Sequence, residues 1–132
     1  MTSTVRSLCA LAIVLSVTAC TSPAAVPAPV AADRLTVFKS LGRRQCEAGG
    51  ETPASLAAQL KSSGIEATPA GCANDGMMYA ATCGGGDGAL GLLDIAAVDA
   101  AAAAKAGFRP FSDLPDASRQ LCPGTPGAPQ KK

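Results

Sequence analysis

The chain contains no histidine and no tryptophan, and its aromatic side chains are limited to Tyr79, Phe38, Phe108 and Phe111. Without an imidazole there is no ordinary base for a serine or cysteine triad. So few flat rings leave no stacking surface for sugars or bases. A long apolar run is missing too: a bilayer-spanning helix needs about 20 apolar residues, whereas Leu8 to Val17 is short and already interrupted by Ser16. Charge of one sign is also lacking, with eleven basic and ten acidic residues. Nothing in that balance would hold a phosphate backbone, so no nucleic-acid partner is expected.

What is present begins at the N-terminus. Met1 to Ser7 carry one cationic side chain, Arg6, and the short apolar run follows. A charged start and a brief apolar core are the pattern of an export signal. Directly behind it stands Val17-Thr18-Ala19-Cys20, which resembles the lipobox of bacterial lipoprotein precursors: an aliphatic residue, two small ones, then cysteine. The resemblance implies removal of residues 1–19, a thioether to diacylglycerol on Cys20, and acylation of the new amine. It also implies attachment to the bacterial cell envelope, with Thr21 rather than aspartate after the cysteine favouring the outer membrane, facing the periplasm. Losing Arg6 with the leader leaves ten basic and ten acidic residues.

Six cysteines are encoded; Cys9 lies in the leader and Cys20 carries lipid on this reading, so Cys46, Cys72, Cys83 and Cys122 remain. An even remainder in an exported chain predicts two disulfides. Zinc is the competing use, but with no histidine and no CxxC pair the metal-site pattern is missing, and no metal or cofactor is expected. Four cysteines allow three connectivities, and the sequence alone does not choose among them. Closeness in the chain favours Cys72 with Cys83, leaving Cys46 and Cys122 to tie the ends of the domain together.

Residues 20–32 form the lipidated cysteine and a tether, TSPAAVPAPVAA after Cys20, without charge or helical periodicity. Proline removes amide donors and favours extended backbone. Twelve such residues reach about 35 Å at roughly 3.1 Å each. Residues 123–132, PGTPGAPQKK, read as a disordered tail. Between them, residues 33–122 form one small domain, of a size at which burial alone is marginal and disulfides are physically sensible.

Within it, LTVFKSL (35–41) alternates Leu35, Val37 and Leu41 against Phe38, as a strand does, with Lys39 interrupting the inward face. Thr52-Pro53 starts a helix, because the threonine oxygen accepts an orphan amide hydrogen bond and proline suits the first turn. Leu56 and Leu60 then share a face. Gly64 ends the helix, and Ile65 folds back onto it. The same ending recurs at Gly107-Phe108 after the alanine-rich helix that Asp94 or Ile95 leads into, as a faint duplication or as generic helix-ending chemistry. Strands are expected at 65–70, at MMYAATC (77–83) after an Asn74-Asp75-Gly76 turn, at 89–95, and in a last short piece at 108–112. Val98 and the alanines beside it are expected to pack on the sheet. The fold class is α+β: a small, mostly antiparallel sheet with two helices on one face, stapled by disulfides.

Few stretches could carry chemistry. CGGGDGALGLLD (83–94) lacks the lysine and hydroxyl of a P-loop and the helix entry of a dinucleotide fingerprint. Asn74, Asp75 and Asp87 lie near glycines but lack the register of a calcium loop, and turn formation accounts for them. Asp87 and Asp94 are the available carboxylate pair. Arg43-Arg44 and Lys131-Lys132 read as solvated surface. No catalytic residue is assigned and no enzyme is expected.

The expected role is a noncatalytic binding or structural module held on the membrane through its anchor, with a periplasmic protein as partner. Its candidate binding surface is the bend Gly84, Gly85, Gly86, Asp87 and Gly88. The alternatives are an inhibitor that plugs a hydrolase such as lysozyme with the Cys72 to Cys83 loop, and a small enzyme with a carboxylate site.

Overall fold

The computed structural model describes residues 33–127; the leader, Cys20, the tether to Ala32 and the last five residues lie outside the described residues. The described elements are β1 (Arg34–Ser40), α1 (Pro53–Ser62), β2 (Ala67–Asn74), β3 (Ala89–Ala96), α2 (Ala100–Lys105), β4 (Arg109–Pro110) and β5 (Ser118–Gln120). The strands pair antiparallel in the order β4-β1-β3-β2-β5. The first six elements therefore run β-α-β-β-α-β with β3 inserted between β1 and β2, the split βαβ order of ferredoxin-like sheets.

Each half of that order is a strand, a helix and a strand, and each helix stops in the same way. Ile65 N–H donates to the Leu60 carbonyl and Gly64 N–H to Lys61, both at 3.0 Å; Phe108 and Gly107 repeat the pattern onto Ala103 and Ala104, again at 3.0 Å. Both glycines take positive φ, +79° at Gly64 and +85° at Gly107, which an L side chain resists. The start of α1 is equally local: the Thr52 hydroxyl accepts from Ser55 N–H and the Ser55 hydroxyl from Thr52 N–H, a reciprocal capping box.

Both helices cover one face. There Leu56 and Leu60 of α1 and Ala103 of α2 meet Val37, Leu41, Leu93, Ile95, Ile65 and Phe108 in a single buried cluster. Lys39, on the same side of β1, lays its stem over Phe108 with Nζ 5.0 Å from the ring centre and donates to Gln59 Oε1 at 3.1 Å. The charge thus stays at the edge of the core. Gly91 sits under α1: a Cβ there would lie 2.7 Å from Leu56 Cδ1 and 2.8 Å from Leu41 Cδ2, so the close approach of helix and sheet requires glycine.

The opposite face holds a smaller cluster of Phe38, Ala73, Leu90 and Leu92, roofed by Phe111 and Leu114 from the segment after β4. Strand β3 is buried on both faces, which is why it reads as a continuous apolar run rather than an alternating one.

Five expectations require correction. MMYAATC is a loop, not a strand, because β2 already has β3 on one edge and β5 on the other, and Met78 is 99% exposed. The strand expected at 65–70 begins at Ala67 and runs on to Asn74, with a bulge between Pro69 and Gly71. Proline has no amide to donate to the ladder and is tolerated at such a bulge. Asp94 and Ile95 belong to β3, not to the helix start. Val98 is 89% exposed: it lies in the 3-10 turn Ala97–Asp99 before α2 and is not buried on the sheet. The expected piece at 108–112 is split, β4 holding two residues before a 3-10 turn at Phe111–Asp113, and β5 is an additional strand.

Candidate functional site

Strands β1 and β2 end, and β3 begins, at the same end of the sheet. Two connections therefore meet there: residues 41–52 between β1 and α1, and residues 75–88 between β2 and β3. A disulfide joins them, Cys46 to Cys83, with Cα atoms 5.1 Å apart. The second bridge is Cys72 to Cys122, Cα–Cα 4.9 Å. The pairing favoured by chain distance, Cys72–Cys83 and Cys46–Cys122, is thus overturned. The register supplies the reason: Cys72 lies inside the sheet opposite Gln120, so Cys122 arrives beside it, while Cys83 lies beyond the strands, where Cys46 is. The 72 to 83 segment is not closed on itself as the inhibitor reading supposed.

The glycine bend 84–88 is not a free surface. Gln45 N–H donates to Gly85 O at 2.8 Å and Gly84 N–H returns a bond to Gln45 O at 2.9 Å. The Gln45 side-chain amide donates to Ala80 O and Gly86 O, both at 2.9 Å, and the Arg44 guanidinium to Gly84 O at 2.9 Å. Arg43 Nε pairs with Asp87 Oδ2 at 3.3 Å, while Asp87 Oδ1 caps Ala89 N–H at 2.9 Å. Arg44 is exposed, as expected of solvated surface, and Arg43 half-buried, and both also hold the bend in place. The tightest of these glycines is Gly88, where a Cβ would lie 2.6 Å from Asp75 Oδ1 and 2.8 Å from Tyr79 Cε2.

The oxygens weighed as calcium ligands are occupied in the same way. Asn74 Oδ1 accepts from Gly76 N–H at 3.0 Å, and Asp75 Oδ1 from Met77 N–H at 3.0 Å. Among the described residues no three His, Cys, Asp or Glu side chains gather as a metal ion would require. Asp87 lies in the connection before β3, paired with Arg43, whereas Asp94 lies near the far end of β3, where its Oδ1 accepts the Thr36 hydroxyl at 2.6 Å. The carboxylates do not converge on a common point. A cleft of about 280 Å³ over the Cys72–Cys122 bridge, between Leu41, Arg43, Gly50 and Pro123, lies at the lower edge of the roughly 300–1,000 Å³ of small-ligand sites.

What this end of the molecule does present is Met77, Met78 and Tyr79, exposed by 67%, 99% and 42%. Two legs hold that tip. On one side Gly76 presses against the 3-10 turn-to-β5 connection, where a Cβ would lie 2.4 Å from Asp116 O. On the other, the Gln45 bonds and the Cys83 bridge fix residues 80–86. Across the tip, the Tyr79 hydroxyl donates to Asp75 Oδ2. The sequence hid this feature because MMYAATC has the composition of a strand; only its lack of a free partner edge makes it a loop.

The hydrogen bond to Asp75, then partial burial, then the Asp75 and Asp87 charges raise the Tyr79 pKa above its ordinary 10.0. A raised folded-state value favours the neutral phenol, so the contribution is complete below pH 10 and disappears as pH rises through the folded value. Tyr79 is the sole tyrosine, so absorbance near 295 nm reads it directly. In Asp75→Asn its titration is expected to move down toward the free-phenol value; an unchanged midpoint would show that the contact is not maintained in solution.

Comparison with known proteins finds no family model, no curated protein and no solved structure that matches the chain.

Proposed function

We propose that the protein is a noncatalytic envelope lipoprotein, anchored through Cys20, whose small domain binds a periplasmic protein by its Met77-Met78-Tyr79 tip. The observation that carries the reading is the cysteine pattern. Cys46, Cys72, Cys83 and Cys122 pair with one another inside the domain, which suits an oxidising compartment and leaves Cys20 outside the fold's needs. The domain begins at Asp33, at the end of β1 opposite the tip, so attachment through residues 20–32 leaves the tip unobstructed.

The binding surface differs from the one expected. Gly84 to Asp87 are engaged by residues 43–45 and Gly88 by Asp75, and Ala89 to Gly91 are core, so the large exposed apolar side chains of the connection are those of 77–79. Methionine is unbranched and polarizable and adapts to irregular apolar surfaces. Tyrosine brings a large contact area at low entropic cost.

A second reading, inhibition of a hydrolase by insertion of the tip into its cleft, is favoured by the bracing of Met78 from both sides. Purified domain that leaves lysozyme turnover unchanged removes lysozyme as the target.

Intact-mass measurement on protein extracted from bacterial membranes tests the main reading. The expected mass starts at Cys20, includes diacylglycerol and an amide-linked acyl chain, and lacks four hydrogens for two disulfides. A mass that retains residues 1–19, or carries no acyl chains, rejects it.

A further inference from the structure

We propose that Cys46–Cys83 is a thiol-exchange site, at which a dithiol reductant unlocks the 75–88 loop while Cys72–Cys122 keeps the domain folded. The two bridges differ first in access. Cys46 and Cys83 are both exposed, whereas Cys72 is 2% exposed and Cys122 is half-buried against the main core, so that bridge meets solvent only through the cleft beside it. A thiolate must reach a disulfide sulfur to exchange with it, so access separates the two bridges before any other property does.

They differ next in what they hold. No member of either buried cluster lies between residues 42 and 55 or between 74 and 88. Opening Cys46–Cys83 therefore removes no buried apolar contact, only the covalent tie between two surface connections. Cys72 is itself a core residue, and its bridge joins β2 to the chain just after β5.

The backbone at Cys46 points the same way. Among the described residues it is the one non-glycine with positive φ, +64°. A left-handed L-residue is disfavoured by about 1–2 kcal/mol and persists where its surroundings hold it. Here those surroundings are the disulfide and the Gln45 hydrogen bonds on either side of the Gly84-Gly85 peptide.

The chemistry balances without a further reagent. One thiolate of the dithiol attacks a bridge sulfur and forms a mixed disulfide, and the other protein sulfur leaves as thiolate. The second reductant thiol then closes on the first. Two electrons and two protons pass to Cys46 and Cys83, and the reductant leaves as its own disulfide. The consequence falls on the tip: Met77 to Tyr79 lose the tether that fixes their far leg. Exchange at this bridge and the order of the loop do not depend on whether the tip binds a partner.

The experiment is limited reduction of the full chain with dithiothreitol, quenching by alkylation and peptide mapping, followed by hydrogen exchange on the partly reduced form. Cys46 and Cys83 are expected to label at least about tenfold faster than Cys72 and Cys122. Amides of 77–88 should then exchange faster while those of β1 and β3 do not. Equal labelling rates, or earlier labelling of Cys72 and Cys122, overturn the proposal. So does unchanged exchange in 77–88, or loss of protection in β1 and β3 when this bridge alone is open. The Cys46→Ser/Cys83→Ser double variant is expected to reproduce the loosened loop; if it does not fold, the labelling order on the unaltered chain still decides.

Discussion

Replacing Cys72 and Cys122 together by alanine is expected to lower the melting temperature of the domain by about 15–30 °C. The bridge spans 50 residues, and a loop of that size restricts the unfolded chain by about 4 kcal/mol in the loop-entropy model. A domain of this length has a total stability of roughly 5–15 kcal/mol, and each kcal/mol shifts its melting point by about 4–8 °C. Packing adds to the effect, because Cys72 touches the main core and its side chain is truncated at a position 2% exposed. Cys46–Cys83 encloses a loop of similar size, with a separation of 37, so chain entropy alone does not distinguish the bridges. The core contact does. Thermal unfolding followed by circular dichroism gives the answer, and a drop smaller than about 5 °C would show that the core holds the domain without this bridge.

Cys20→Ser is expected to abolish acylation altogether and to leave the leader attached. A hydroxyl at that position cannot form the thioether, and the resemblance at Val17 to Cys20 implies that cutting follows lipid attachment. Each acyl methylene contributes about 0.8 kcal/mol to membrane binding, and two or more chains make it stable where one does not. The change therefore removes the whole of the lipid anchor rather than weakening it. Incorporation of labelled palmitate should fall to background, and the chain should gain the mass of residues 1–19. The domain itself should melt as before, since Cys20 precedes its first strand at Arg34. Continued palmitate labelling of the serine variant would place the lipid elsewhere and reject the anchor.

The locally encoded parts of the fold were the readable ones. Thr52, Pro53 and Gly64 mark the ends of α1 because capping is decided by residues within one turn of each end. β1 and β3 were legible for a related reason: alternation in one and an unbroken apolar run in the other reflect how many faces each strand buries. Lys39 could be recognised as an interruption, although not its ring contact with Phe108, some seventy residues along the chain. The candidate site was hardly legible. Gly84 to Gly88 attract notice as a flexible stretch, yet their partners, Arg43, Arg44 and Gln45, stand about forty residues earlier.

The sequence by itself determined the class of the fold, the helix ends, the even number of cysteines in the domain and the exclusion of histidine chemistry. These follow from composition or from contacts between near neighbours. Only the tertiary structure decided which cysteines meet, that MMYAATC stays outside the sheet, and that the exposed surface is methionine and tyrosine rather than glycine. Each of those outcomes depends on strand order, and strand order is a property of distant residues competing for the same edge. Once β3 and β5 had taken both edges of β2, Cys122 was carried to Cys72 and the segment from Met77 was left in solvent.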